Sequence, residues 1–355
     1  MKILVIGPLP DPVTGCSLAN QVLLRGLTKK DVKVSSINMS TSFSEEIGTF
    51  TFGKVFGAIS KYLRIYKVLL NDVIYITPGQ SFLGVLKYAP FIFLAKLFRK
   101  RVVVHIHGNH LWKEFELSGN FKRKILYGIL SLADKGIVLS PSLQKNLSPF
   151  LCSENIHSVF NFAEDYLHNS HEFKSFDTLN VIYLSNLMME KGIFDVLHAL
   201  QNLQKNKIPF KAKIAGAIDR SARVRIENLL KQLGNNVEYL GVVSGGQKQK
   251  LLEWGNVFVF PTYYPQEGQP ISIIEAMVTA NVIIATNHAG IPDLIDNKNA
   301  FFVEKQNPDQ VSKVLSTFYS NNGEFVNKSN FNKKYSKIFT EGNYVKNILK
   351  VLNAR

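Results

Sequence analysis

The sequence predicts an α/β protein made of two Rossmann-like, doubly wound domains in tandem. Three observations carry this. Short apolar runs alternate with longer helical patterns from one end of the chain to the other, as βαβ units do. Runs such as Val102-Val103-Val104-His105-Ile106 and Val257-Phe258-Val259-Phe260 are continuous rather than alternating, which suits parallel strands covered on both faces. The chain has 355 residues, long for a single hydrophobic core.

Taken in order, strands are predicted near 2–6, 32–38, 73–77, 102–106 and 136–139, then near 181–184, 211–215, 237–240, 257–260 and 282–285. Met1-Lys2-Ile3-Leu4-Val5-Ile6-Gly7-Pro8 is broken too soon by Gly and Pro for a signal peptide and reads as a buried first strand. The segment Asn161 to Asn180 is the predicted connection, giving an N-terminal domain over 1–165 and a C-terminal domain over 176–330. Beyond about residue 305 the pattern is helical and polar, and 331–355 is expected to form a helical segment packing back on the N-terminal domain. Ligands of doubly wound sheets bind beyond the carboxyl ends of the strands. The expected site is therefore a central cleft lined by the loops that follow them.

Apolar content of 46% against 19% charged residues excludes a disordered chain. Cys16 and Cys152 stand far apart in no metal-like spacing, which argues against a disulfide scaffold or zinc site and favours a reducing cytoplasm. No run of about 18 uncharged apolar residues occurs, so no transmembrane helix is predicted. The net charge of +15 asks for an acidic partner: nucleic acid, an anionic membrane or a phosphorylated ligand. Zinc-finger spacing and RNA-binding aromatic signatures are missing, which makes nucleic acid the weakest of the three. Two segments combine bulk with positive charge. Lys54–Leu70 places Lys61, Arg64 and Lys67 on or near one helical face, and in Phe82–Arg101 the residues Phe91, Phe93, Leu94, Leu97 and Phe98 precede Arg99-Lys100-Arg101. Each is either a basic helix for a membrane interface or a domain helix whose lysines snorkel into water.

The chemistry concentrates in Pro265-Gln266-Glu267-Gly268-Gln269-Pro270-Ile271-Ser272-Ile273-Ile274-Glu275-Ala276-Met277. Glu267 lies in a Pro/Gly-rich loop and Glu275 follows a short apolar run where a helix begins. Free amides and the positive end of a helix dipole suit a phosphate, and carboxylates suit sugar hydroxyls. A sugar attached to a nucleoside diphosphate satisfies both. The plainer reading is a helix-favouring Glu275 and a surface Glu267.

Together with Phe260-Pro261-Thr262 before it and Ala289-Gly290-Ile291-Pro292-Asp293 after it, this block resembles the retaining glycosyltransferases of family 4, which have the GT-B fold. The resemblance is strongest over 180–305. It implies that Glu267 contacts the transferred sugar, that Glu275 takes the ribose hydroxyls, and that Gly268, Gln269, Pro270 and Ile271 line sugar and phosphate. In Leu184-Ser185-Asn186-Leu187-Met188-Met189-Glu190-Lys191-Gly192 it implies a diphosphate contact for Lys191. Asn186 stands where many members have Arg, so a second cation is missing there, and Arg220 after Ile214-Ala215-Gly216 is a candidate replacement. The loop Pro10-Asp11-Pro12-Val13-Thr14-Gly15-Cys16-Ser17 keeps one glycine, Gly15, to approach donor or acceptor. His107-Gly108 ends a strand where the family has a histidine near the donor sugar. His105 is expected on the opposite face, in the core, with His110 a lesser candidate. Ser140 and Asn161 are weaker matches, and Asn161-Phe162-Ala163-Glu164 departs from the common N-G-x-D form.

The implied reaction is sugar transfer from a nucleotide donor, UDP favoured, to a glycan hydroxyl with retention at the anomeric carbon. Glu267, His107 and Lys191 carry the chemistry, and no cofactor or metal is expected because no Asp-x-Asp cluster is seen. The expected partners are the donor, a lipid-linked acceptor in bacterial polysaccharide (O-antigen or capsule) synthesis, and an anionic membrane surface on the cytoplasmic side. The alternative is a non-catalytic or differently acting GT-B protein that binds a sugar nucleotide. Asn186, Thr14 and Ala280-Asn281-Val282, where relatives often have Gly-x-Pro, favour it.

Overall fold

The computed structural model describes residues 1–40, 61–169 and 174–354. The chain divides into two compact units, Met1–Asn161 with Glu341–Arg355, and Phe162–Thr340. The first holds β1 (Lys2–Gly7), β2 (Lys33–Asn38), β3 (Val73–Ile76), β4 (Arg101–Ile106), β5 (Lys135–Val138) and β6 (Ile156–Ser158). They form one parallel sheet in the order β2-β1-β3-β4-β5-β6. The second holds β7 (Asn180–Leu184), β8 (Lys211–Ala215), β9 (Val237–Tyr239), β10 (Val257–Phe260), β11 (Val282–Thr286) and β12 (Ala300–Val303). Its parallel order is β12-β11-β10-β7-β8-β9. Each sheet is a doubly wound Rossmann-like unit, and the central strands are buried throughout, as continuous apolar runs require.

Two strands escape the sequence reading. β6 and β12 are short and sit at sheet edges, each paired on one side only. β6, Ile156-His157-Ser158, has a single apolar residue and leaves little to register; β12, Ala300-Phe301-Phe302-Val303, is as long and as apolar as β10 and is passed over all the same.

The division falls after Asn161 rather than 165, and the return to the first unit follows Thr340 rather than residue 330. The reason is local: Ala163 N–H donates to the Phe339 carbonyl at 2.9 Å, so the two passages of the chain are paired. The returning helix, Glu341–Asn353, packs on the Gly15–Lys29 helix. Gly26 admits Val345 so closely that a Cβ there would lie 2.4 Å from Val345 Cγ2. Arg25 pairs with Glu341 at 3.2 Å, and Arg101 and Lys135 each donate to the Ala354 carbonyl at 2.9 Å.

The helix expected over Lys54–Leu70 is not continuous. Residues 54–60 lie outside the described residues, and Ile65–Val68 is a single 3-10 turn. Lys61 and Lys67 turn inward onto the carbonyls of Ser40 (2.5 Å) and Ser36 (3.1 Å), leaving only Arg64 of the three exposed. Phe82–Arg101 holds two helices, Phe82–Leu86 and Ala89–Leu97, broken between because Pro90 sits at the start of the second.

Candidate functional site

In the second unit the strand order reverses at β7, which lies between β8 and β10. The loops leaving β7 and β10 therefore emerge side by side, the position where doubly wound sheets hold ligands. The first carries Asn186 and Lys191, the second Glu267.

These two loops are joined backbone to backbone. Tyr263 N–H donates to the Glu190 carbonyl at 2.8 Å. Gly192 has φ +79°, and a Cβ on it would lie 2.5 Å from the Pro261 carbonyl oxygen. Only glycine fits that approach in the left-handed region. The Tyr183 hydroxyl reaches the carbonyls of Asn186 (3.1 Å) and Lys191 (3.3 Å), holding both ends of the first loop.

The result is a buried ion pair: Lys191 Nζ lies 2.6 Å from Glu267 Oε2. Thr262 Oγ1 donates to the same oxygen at 3.3 Å, and the Tyr264 ring centroid is 4.7 Å from Nζ. Glu267 N–H is turned onto the Tyr264 carbonyl at 2.9 Å. The Gly268 carbonyl accepts from Gly290 N–H at 3.0 Å, and His288 Nε2 meets the Tyr264 carbonyl at 2.8 Å, so the 288–290 loop braces the motif.

The helix Ile271–Val278 follows. Its cap is Pro270, no side chain caps it, and its first turn has no acid. Ile271 and Ser272 are half-buried. Those N-terminal amides and the helix dipole face whatever anion arrives. Pro270 itself has no N–H and contributes φ only. Glu275 stands one turn further on, not in the first turn, and is 3% exposed. Burial raises its pKa, opposed by Lys248 beside it.

Lys248 is the residue sequence reasoning missed. It projects from the helix Gly245–Trp254 and lies 2.5 Å from Glu275 Oε1 and 2.5 Å from Glu164 Oε2. Burial works against its charge, but the two carboxylates outweigh it and raise its pKa. The motif's two glutamates thus each carry a lysine: Lys191 on Glu267 and Lys248 on Glu275. No sequence signal marks Lys248, because a lysine near a helix start reads as solvated.

Arg220 is exposed and is not brought into these ion pairs. Its loop is nevertheless tied to the Asn186 loop. Leu187 N–H donates to the Ala217 carbonyl at 2.8 Å and Asp219 N–H to the Leu187 carbonyl at 3.1 Å. Gly216 lies so close that a Cβ would overlap the Ser185 carbonyl. Asn186 is exposed at the turn between them.

The remaining candidates belong to the first unit. Gly15 opens the helix Gly15–Lys29, capped by Thr14, whose side chain accepts from Ser17 N–H while the Ser17 side chain accepts from Thr14 N–H. This is a capping box. His107 follows β4 with its Nε2 buried and unpartnered, and burial lowers its pKa to about 3. A histidine so held stays neutral at physiological pH and can serve as a hydrogen-bonding group rather than a cation. His105 is fully buried, as expected of core, but it is on the same side as His107, not the opposite one. Their ring centroids are 4.0 Å apart, because residues two apart along a strand share a face. Tyr75 Oη meets His105 Nδ1 at 2.5 Å. His110 sits 3.8 Å from Glu114 at a helix start. Ser140 and Asn161 are buried beyond β5 and β6.

Two six-stranded Rossmann-like units, with motif-bearing loops at the strand ends, make this a GT-B fold. Solved structures agree. Anabaena Alr3699/HepE in complex with UDP and glucose superposes with a TM-score of 0.75 over 99% of each chain at 16% identity. Sucrose-phosphate synthase from Thermosynechococcus elongatus gives 0.78, over 99% of this chain and 98% of that one, at 16% identity. Residues 169–337 match the family model of glycosyl transferases group 1. Relatives include the poly(ribitol-phosphate) alpha-N-acetylglucosaminyltransferase of Staphylococcus aureus (strain COL), 29% identical over 65% of this chain and 47% of the relative. The putative colanic acid biosynthesis glycosyltransferase WcaL of Escherichia coli (strain K12) is 26% identical over 39% of this chain and 36% of the relative. The chain thus spans between about a third and a half of the length of these relatives.

Proposed function

We propose that the chain is a retaining glycosyltransferase moving a sugar from a nucleoside-diphosphate donor, UDP-linked, to a glycan hydroxyl in bacterial polysaccharide synthesis. The observation that carries this is the Lys191–Glu267 pair beside an uncapped, acid-free helix start, with Glu275 one turn further along the same helix. The cation and the helix amides suit a diphosphate, and the carboxylates suit sugar and ribose hydroxyls. Anabaena HepE was crystallised with UDP and glucose, which supports the donor class. The staphylococcal and colanic acid relatives support a bacterial surface glycan as acceptor.

In this reading Lys191 and the Ile271 helix start stabilise the departing diphosphate. The bond from the anomeric carbon to the diphosphate oxygen breaks and the acceptor oxygen bonds on the same face. The acceptor proton passes to the leaving diphosphate. Glu267 meets the transferred sugar. Gly268, Gln269 and Ile271 line the donor, and Arg220 supplies the charge that Asn186 lacks. Transfer is proposed to need no metal.

A thermal-shift panel of UDP, GDP, ADP and their sugars tests the donor. The expected result is a UDP-selective rise in melting temperature, since a ligand at 100 times its Kd adds about 2.7 kcal/mol. Indifference to all of them would favour a fold kept without transfer.

We further propose that the acceptor is lipid-linked and that the first unit works against the cytoplasmic face of an anionic membrane. Among the described residues no helix is long and apolar enough to cross one. Supporting contact instead, Leu63, Tyr66, Leu70, Phe93, Leu97 and Phe98 are all exposed. The Ile65–Val68 turn packs on the helix Ala89–Leu97, and exposed Arg64 and Arg99 flank these residues. Apolar bulk rimmed by arginine suits an acidic headgroup layer. Sedimentation should bring the protein down with phosphatidylglycerol vesicles and leave it in solution with phosphatidylcholine. Equal partition would end the membrane reading.

A further inference from the structure

We propose that Lys248 is a positioning residue for nucleotide recognition, fixing Glu275 for the ribose hydroxyls by clamping it against Glu164. The inference rests on the reading of Glu275 as the ribose contact.

The geometry is that of a three-member bridge. Lys248 Nζ lies 2.5 Å from one oxygen of Glu275 and 2.5 Å from one of Glu164. The Lys248 side chain is 12% exposed and that of Glu275 5% exposed. The lysine therefore takes Glu275 Oε1, and no hydrogen bond occupies Oε2 in the structure. A carboxylate with one oxygen held and the other unspent is set up to accept from a hydroxyl, or from two on adjacent carbons.

Glu164 sits two residues past the start of the second unit. Its Oε2 also accepts from Tyr166 Oη at 3.3 Å, and the Tyr166 ring lies 5.9 Å from Lys248 Nζ. Lys248 thus cannot swing away from Glu275 without giving up a second partner. The helix that carries it is closed at its far end by Lys174, which donates to the Leu252 carbonyl at 2.5 Å and to that of Gly255. Two carboxylates on one lysine also explain why Lys248 is unsuited to replace the charge missing at Asn186: its own is already matched. Glu164 stands at the acid of the N-G-x-D form, so its departure from Asp lengthens the side chain by one methylene and lets it meet Lys248.

The test compares binding of UDP with that of 2′,3′-dideoxy-UDP, by calorimetry, in wild type and four variants. Wild type should lose about 30-fold in affinity when the two hydroxyls are removed, in the range for hydrogen bonds to a charged group. In Lys248→Met the same removal should cost under about 3-fold, and Lys248→Arg should restore most of the difference. Glu164→Gln, a milder change that keeps an acceptor, should fall between, and it stands in if the Met variant does not fold. A bare packing role for Lys248 would weaken both ligands equally and leave their ratio at the wild-type value; that result overturns the proposal. Glu275→Gln separates the two layers of the argument. If it keeps the wild-type ratio, the ribose reading of Glu275 fails. If it loses the ratio while Lys248→Met keeps it, only the role of Lys248 fails.

Discussion

On the proposed function, Glu267→Gln is expected to lower sugar transfer by more than about 100-fold while leaving nucleotide binding within a few-fold of wild type. The substitution keeps the side chain's size and one acceptor oxygen, so the loop held by Tyr264 and Gly290 retains its shape. What goes is the negative charge, 2.6 Å from Lys191, in a site where both side chains are largely buried. A preorganised group aimed at charge developing in the transition state is worth about 3 kcal/mol, and each 1.36 kcal/mol is a factor of about ten in rate. The measurement is steady-state transfer from the donor that the nucleotide panel selects, with the UDP affinity read separately. Turnover within a few-fold of wild type would remove Glu267 from the mechanism. A collapse of UDP binding instead would mean that the carboxylate's first task is to hold Lys191 in place.

Gly192→Ala is expected to destabilise the protein by about 2–5 kcal/mol. Two terms add. An alanine in the left-handed region costs about 1–2 kcal/mol, and Gly192 has φ +79°. Overpacking against rigid surroundings costs about 1–3 kcal/mol more, and the obstruction is backbone: the Pro261 carbonyl oxygen at 2.5 Å and its carbon at 2.8 Å from the new Cβ. Neither can rotate aside. Urea denaturation of wild type and variant checks the cost directly. Because Lys191 immediately precedes this glycine, any relief of the clash moves the cation, and UDP binding should fall with stability. An unchanged unfolding midpoint would show that the two loops can separate without penalty.

Most of the fold was legible because its central strands are continuous apolar runs between turn residues, as in Val102–Ile106 and Val257–Phe260. β6 was not, since Ile156-His157-Ser158 carries one apolar residue; β12 was missed although Ala300–Val303 is as apolar and as long as Val257–Phe260. The acidic motif could be read because an apolar helix start after Gly268-Gln269-Pro270 is a local signal. Lys248 and Glu164 could not: they lie 84 residues apart, and only the sheet order brings them together. The opposed faces assigned to His105 and His107 ignored that a period of two puts both on one side. Lys61 and Lys67 looked like a charged stripe, but a lysine's four-carbon stem can turn its ammonium onto a carbonyl as readily as into water. Ala280 has φ +59°, a left-handed conformation that glycine adopts at lower cost.

The helix Glu341–Asn353 makes the two units unequal during synthesis. The second, Phe162–Thr340, is one uninterrupted stretch and can close as soon as it has been made. The first must wait for Glu341–Arg355, which follows the whole of the second unit along the chain. Until Val345 reaches the surface opened at Gly26, and Ala354 the side chains of Arg101 and Lys135, the N-terminal sheet has an unfinished flank. Chains usually fold from the N-terminus forward; here the earliest-made unit is the last to be completed, sealed by its own chain's return.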